Sequence, residues 1–210
     1  MVEVSDGASC ADALKEGLSG KRFKAAIACK AGDTLLDLTA PVPTTTETLT
    51  LTPVTADTPE GLGLIRHSAA HVMAAAVKKL FPAAKVTIGP SIGFYYDFDV
   101  ETPFSPDQFE AIEAEMQRII DAAVPFERMD ISKADAVKLF SDMGEPYKVE
   151  LIEGLEDGTI TLYRNGDFVD LCRGPHIPNA GFVKAFKLLS VAGAYWRGDE
   201  KNRMLSRIYA

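Results

Sequence analysis

Apolar residues recur at steps of three and four between Pro59 and Leu80, at Ile65, Ala69, Val72, Met73, Ala76 and Leu80. That period predicts an amphipathic helix. Thr58 as N-cap, Pro59 in the first turn and Glu60 beside it give the start, and Pro82 gives a stop after Phe81. Turned through about 100° per residue, His67 and His71 fall opposite Ile65, beside Leu64, Ala74, Ala75 and Lys78. These small neighbours leave room for something to approach that face.

Ser105, Pro106 and Gln108 form a capping box that opens a second helix, packed through Phe109, Ile112, Met116, Ile119, Ile120 and Ala123. Ser132 caps a shorter helix that buries Ala136, Leu139 and Phe140 and ends at Gly144. Ser9 caps another, from Cys10 to Leu18. Strand-like runs lie at Phe23 to Cys29 and Thr34 to Leu38, and Leu49, Leu51 and Val54 give a period of two. Lys85 to Asp99 reads as a strand, a Gly-Pro turn and an aromatic strand. Tyr147 to Ile152, Ile160 to Arg164 and Phe168 to Leu171 complete the set, with Asn165-Gly166 as a hairpin turn. Hairpins with segregated helices predict an α+β fold with mainly antiparallel sheet. The Thr/Pro-rich stretch from Ala40 to Glu60 divides the chain into a small strand-rich unit, 1–57, and a larger one, 58–210.

Composition narrows the function classes. With 47% apolar residues in 210, the chain supports a folded core. No apolar run reaches the roughly 18 to 20 residues of a membrane span, and the start lacks a secretory pattern. Three Cys point to reduced thiols in the cytosol. The net charge of -8 excludes indiscriminate nucleic-acid binding. It is unevenly spread: 99–157 carries a net -11, whereas the last 30 residues carry +4 through Lys184, Lys187, Arg197, Lys201, Arg203 and Arg207. Such a charge run is either a solvated face or a functional one, and if functional an anionic partner would dock on that C-terminal part alone. No phosphate loop or dinucleotide fingerprint occurs.

All three histidines belong to two pairs of equal spacing, His67 with His71 and Cys172 with His176. On a helix, residues four apart project side by side, so the first pair can share an ion, a water or a substrate atom. The second lies in Cys172-Arg173-Gly174-Pro175-His176, where Gly-Pro favours a turn. Three readings follow: a four-ligand zinc site, imidazoles acting as general bases, or satisfied core residues.

The runs HSAAH (67–71), GFYYDFD (93–99), GEPYK (144–148), DLCRGPH (170–176), FKL (186–188), AGAYWRGD (192–199) and ML-RIY near Tyr209 resemble the bacterial type of threonyl-tRNA synthetase, in its N-terminal half. The resemblance runs from Gly61 to the end. The segment before Pro59 is similar to that family's TGS domain, a ubiquitin-like β-grasp module. The resemblance implies an editing domain that hydrolyses serine mischarged onto threonine tRNA. It places His67, His71, Cys172 and His176 around one pocket, with Lys148 and Asp170 completing it and His67 handling the attacking water. It implies further that Arg173, Tyr95 and Tyr96 contact the terminal nucleotides of the tRNA 3′ end.

The related alanyl-tRNA synthetase editing domains bind zinc through the same His67, His71, Cys172, His176 pattern; the threonyl version implies no cofactor for editing. A C-terminal core, carrying ATP and zinc sites, is expected in cis, in a cytoplasmic protein with no membrane partner. The chain is then expected to be a fragment that does not itself activate threonine. Against the family pattern, the loop from Gly89 to Gly93 is two residues short, and one more strand is expected before Val2.

Overall fold

The computed structural model describes residues 7–45, 48–89 and 94–210. Helix α1 (Cys10–Gly17) starts at Ser9, whose Oγ accepts from the Asp12 N–H while the Asp12 carboxylate accepts in return. A second short helix, α2 (Gly20–Ala25), runs directly into β1 (Ala26–Ala31). Phe23 to Ala25, expected in a strand, are therefore helical; Lys21 to Ala25 hold no β-branched residue, and the strand begins beside Ile27. β2 (Thr34–Leu36) and β3 (Leu51–Thr55) flank β1, both antiparallel to it. The strand expected before Val2 lies outside the described residues.

Helix α3 (Pro59–Leu80) is bounded as its capping signals predict, with Thr58 Oγ1 accepting from the Gly61 N–H. Its burial departs from the expected single stripe. Every residue from Ser68 to Val77 is buried, while Leu80, placed in the stripe, is 37% exposed. One core takes in Ile27, Ala28 and Val54 from the first sheet, most of α3, and Ile112 and Met116 beyond it. The helix is the central layer of the molecule, so periodicity alone could not reveal both of its packed faces.

β4 (Lys85–Val86) pairs antiparallel with β5 (Tyr95–Asp99); the shortened loop between them falls mainly on residues 90–93, outside the described residues. A 3₁₀ turn at Pro106–Gln108 leads into α4 (Phe109–Asp121). Ala123, expected on its core stripe, lies past the helix end at a φ of 47°. β6 (Phe126–Ser132) follows, unannounced by the sequence pattern. Ser132 then caps α5 (Lys133–Asp142), and the chain turns through Gly144 into α6 (Pro146–Glu153).

That last helix corrects the strand expected at Tyr147 to Ile152. Pro146 occupies the first turn, and Lys148 and Ile152, four apart, are its buried residues. β7 (Thr159–Asn165) and β8 (Phe168–Leu171) form the expected hairpin, but Asn165 pairs with Phe168, so Gly166 and Asp167 make the turn. β9 (Ser190–Tyr195) and β10 (Met204–Tyr209) complete a sheet of order β4-β5-β10-β9, beside a sheet β6-β7-β8. All described pairings are antiparallel, as the α+β reading requires.

Candidate active site

His67 and His71 stand one turn apart on α3, with ring centroids 5.0 Å apart. Cys172 and His176 arrive from the segment that leaves β8. In that segment Gly174 has a φ of +71°, and the Gly174–Pro175 bond is cis. A Cβ on Gly174 would sit 2.0 Å from Tyr163 Oη, so only glycine lets the turn close on that ring. The donor atoms of His67, His71, Cys172 and His176 consequently all lie within 4.8 Å of one another. His67 Nε2 is 3.1 Å from Cys172 Sγ, and His176 Nε2 is 3.4 Å from the same sulfur. The His176 ring stacks between His67 at 4.5 Å and Phe126 at 4.6 Å.

Behind the imidazoles lies a charged pair. Lys148 from α6 forms an ion pair with Asp170 Oδ1 and donates to Tyr96 Oη at 3.1 Å. Tyr96 in turn donates to Asp170 Oδ2 at 2.6 Å, and His71 Nε2 stands 3.7 Å from that oxygen. Lys148 and Asp170 are 3% and 2% exposed, so each charge relies on the other and on Tyr96.

Burial, reinforced by the neighbouring His67 and Lys148, holds His71 well below the usual imidazole range. His176 is lowered likewise, by burial first and then by His71 and His67. Both rings are thus neutral near pH 7. Burial pushes the Cys172 thiol up to about 12, against the lowering effect of the Gly174 N–H. It is therefore a thiol rather than a ready nucleophile. Burial and the adjacent Asp170 carboxylate raise Tyr96, which stays a hydroxyl donor.

Of the residues expected to touch RNA, Arg173 is exposed at the rim beside Cys172. Tyr95 is half-buried, with the Arg207 guanidinium 3.9 Å above its ring. Tyr96 is a correction: it is fully buried and committed to Asp170 and Lys148, so it cannot stack on a base. A cavity of about 410 Å³ touches Lys148, Glu145 and Phe168, but none of the three histidines lines it.

Three contributors escaped sequence reasoning. Ser68 Oγ accepts from the Ile177 N–H at 3.2 Å and meets His176 Nδ1 at 2.9 Å, so it can serve either tautomer of that ring. Asp37, just past β2, accepts from the His176 N–H at 2.8 Å and from Tyr163 Oη at 2.5 Å. Ser68 was signalled only by its place inside the histidine pair; Asp37 and Tyr163 carried no signal.

Residues 160–209, which hold Asp170, Cys172 and His176, match the family described as threonyl and alanyl tRNA synthetase second additional domain. The whole chain is 68% identical to the threonine-tRNA ligase of Nitratidesulfovibrio vulgaris (strain DP4) and 67% identical to that of Oleidesulfovibrio alaskensis. Over 93% of its length it is 59% identical to the threonine-tRNA ligase of Lawsonia intracellularis. The chain belongs to the threonyl-tRNA synthetases, as their N-terminal part. It spans 32% of the length of the Nitratidesulfovibrio and Oleidesulfovibrio relatives, about a third.

The donor set also bears on the alternative expected from alanyl-tRNA synthetases. Tetrahedral zinc bound by thiolate and imidazole holds its donors about 3.3 to 3.8 Å apart. Four atoms within 4.8 Å, one sulfur and three imidazole nitrogens, fit that requirement with small side-chain shifts. Among the described residues no helix is long and apolar enough to cross a membrane.

Proposed function

We propose that residues 58–210 form an editing domain that hydrolyses the aminoacyl ester of threonine tRNA carrying serine. The observation that carries this reading is the gathering of His67, the half-buried imidazole of the cluster, with its two neutral companions, His71 and His176, of which His71 stands 3.7 Å from the Asp170 carboxylate of the buried Lys148–Asp170 pair. A site that accepts threonine cannot strongly exclude serine, because one methyl is worth only about 1 to 3 kcal/mol. A second site that removes serine supplies the missing discrimination.

In the proposed reaction, water attacks the ester carbonyl and gives its proton to His67. The carbonyl oxygen becomes an oxyanion that the Lys148 ammonium stabilises. Collapse breaks the ester bond, and the departing ribose oxygen takes up the proton, leaving free serine and uncharged tRNA. Asp170 keeps Lys148 aimed, both its oxygens being already engaged. Arg173 and Tyr95 meet the terminal nucleotides. Residues 1–57 form a TGS-like β-grasp module, and in the longer cytoplasmic protein a core in cis ligates threonine to its tRNA with ATP.

The second reading rests on the four clustered donors. His67, His71, Cys172 and His176 would hold zinc, which when bound acidifies water. One experiment tests both: seryl- and threonyl-charged threonine tRNA are supplied to the chain, with and without chelator. Release of serine alone, unchanged by chelator and with no zinc found by elemental analysis, is expected. Loss of release on chelation would favour zinc; tight binding without hydrolysis would leave a binding module.

A further inference from the structure

Asp37 belongs to the N-terminal sheet region, 139 residues before His176, yet its carboxylate lies at the base of the site. It is 5% exposed. A carboxylate is costly to bury unless its oxygens are met by donors. Here one donor belongs to the loop that carries His176 and the other stands on β7 against that loop. One is the His176 backbone N–H itself. The other is Tyr163 Oη, which sits against Gly174 where any side chain would collide, and whose ring lies 4.5 Å from the His176 imidazole. The loop is thus held directly at His176 and, through Tyr163, at Gly174 by one side chain that follows β2. What the grip fixes is the direction in which the His176 ring leaves the chain, toward Cys172 and His67 rather than away from them.

We infer that Asp37 is a positioning residue for the site, acting through the His176 backbone and Tyr163, so that residues 1–57 take part in the hydrolysis carried by 58–210. This inference rests on the editing reading for its kinetic consequence, but not for its structural one. Tyr163 serves in the same device: burial and the Asp37 carboxylate raise its hydroxyl well above the usual phenol range, so it remains a donor.

The test uses the full chain carrying Asp37→Asn, Asp37→Ala or Tyr163→Phe. Three quantities are read: kcat and KM for seryl-tRNA deacylation, hydrogen exchange at the His176 amide, and the ¹⁵N resonances of the His176 ring. Asp37→Asn keeps the shape but replaces a charged acceptor with a neutral one. It is expected to lower kcat roughly 3- to 10-fold with KM within about twofold, and to speed exchange at His176. Asp37→Ala is expected to lose more, and Tyr163→Phe less. A folded Asp37→Ala chain with wild-type His176 exchange and ring resonances overturns the inference. Should Asp37→Ala not fold, unchanged values in Asp37→Asn overturn it equally. If the wild-type chain leaves seryl-tRNA intact, the editing reading fails, while His176 exchange and resonances still decide the role of Asp37.

Discussion

At the scale of single residues, the site separates groups that hold from groups that act. Lys148, Asp170 and Tyr96 are buried and mutually bonded; removing one charge leaves the other stranded, which costs about 3 kcal/mol or more. His67 is half-buried, and its ring meets Cys172, His71 and His176 at the mouth of the cluster rather than belonging to the buried Lys148–Asp170 pair. Replacing it with alanine gives up ring contacts worth roughly 1 kcal/mol. We therefore expect His67→Ala to unfold near the wild-type urea midpoint yet release no serine, whereas Asp170→Asn shifts the midpoint downward by an amount matching a lost buried ion pair. An unfolded His67→Ala chain would return that residue to a purely structural role.

The same residues show how much of the site the sequence disclosed. The two histidine-containing pairs were legible because their spacing is local. Lys148 is one cation among 22 Lys and Arg, and only resemblance singled it out. Asp37 and Tyr163 were illegible because their meaning lies in contacts across more than a hundred residues.

At the scale of elements, local signals succeeded where a cap or turn residue fixed an end. α3 and the β7–β8 hairpin fall within a residue or so of their expected places. They failed where two periods compete. Tyr147 to Ile152 alternates apolar and polar residues as a strand would, yet Pro146 and the bonds closing the turn at Glu145 commit it to α6. β6 and β10 pair with β7 and β5, distant in sequence, and none of β6, β9 and β10 carries a clean alternation of buried and exposed positions. The turn after β8 offers an element-scale prediction. Gly174→Ala forces a side chain into Tyr163 at a φ that favours glycine. It should cost about 1 to 3 kcal/mol by thermal or urea unfolding and move the His176 ring resonances, whereas alanine at Gly20, where a Cβ meets nothing, should move neither.

At the scale of the whole molecule, charge is rearranged by folding. The basic C-terminal segment does not stand as a free positive patch. Lys187 pairs with Glu113, Arg197 with Glu150, Arg203 with Asp99 and Arg207 with Asp97. Three acids of 99–157, with Asp97 just before it, thus neutralise much of the segment expected to meet an anion. The buried imidazoles set a pH dependence. Folded His71 and His176 resist protonation, while their unfolded counterparts take up protons below about pH 6.5. The unfolded state then binds more protons, so stability falls on acidification from about pH 6.5 toward the lower folded values. The slope is about 1.4 kcal/mol per pH unit for each group. Urea midpoints measured from pH 7.5 down to 5.5 should decline accordingly; a flat profile would mean that the rings accept protons in place.

The burial of α3 on all sides has one more consequence. An ordinary surface helix has an outward face on which substitutions accumulate without harm, and its tolerance to change rises and falls every three or four positions. From Ser68 to Val77 there is no such face. This stretch, half of it alanine, offers neutral drift almost no foothold, and an enlarged side chain there presses on a sheet, a neighbouring helix or the imidazole cluster. The helix that bears the histidines is therefore a mutational bottleneck, in which new specificity is reached more readily by altering the walls around it than by altering the helix itself.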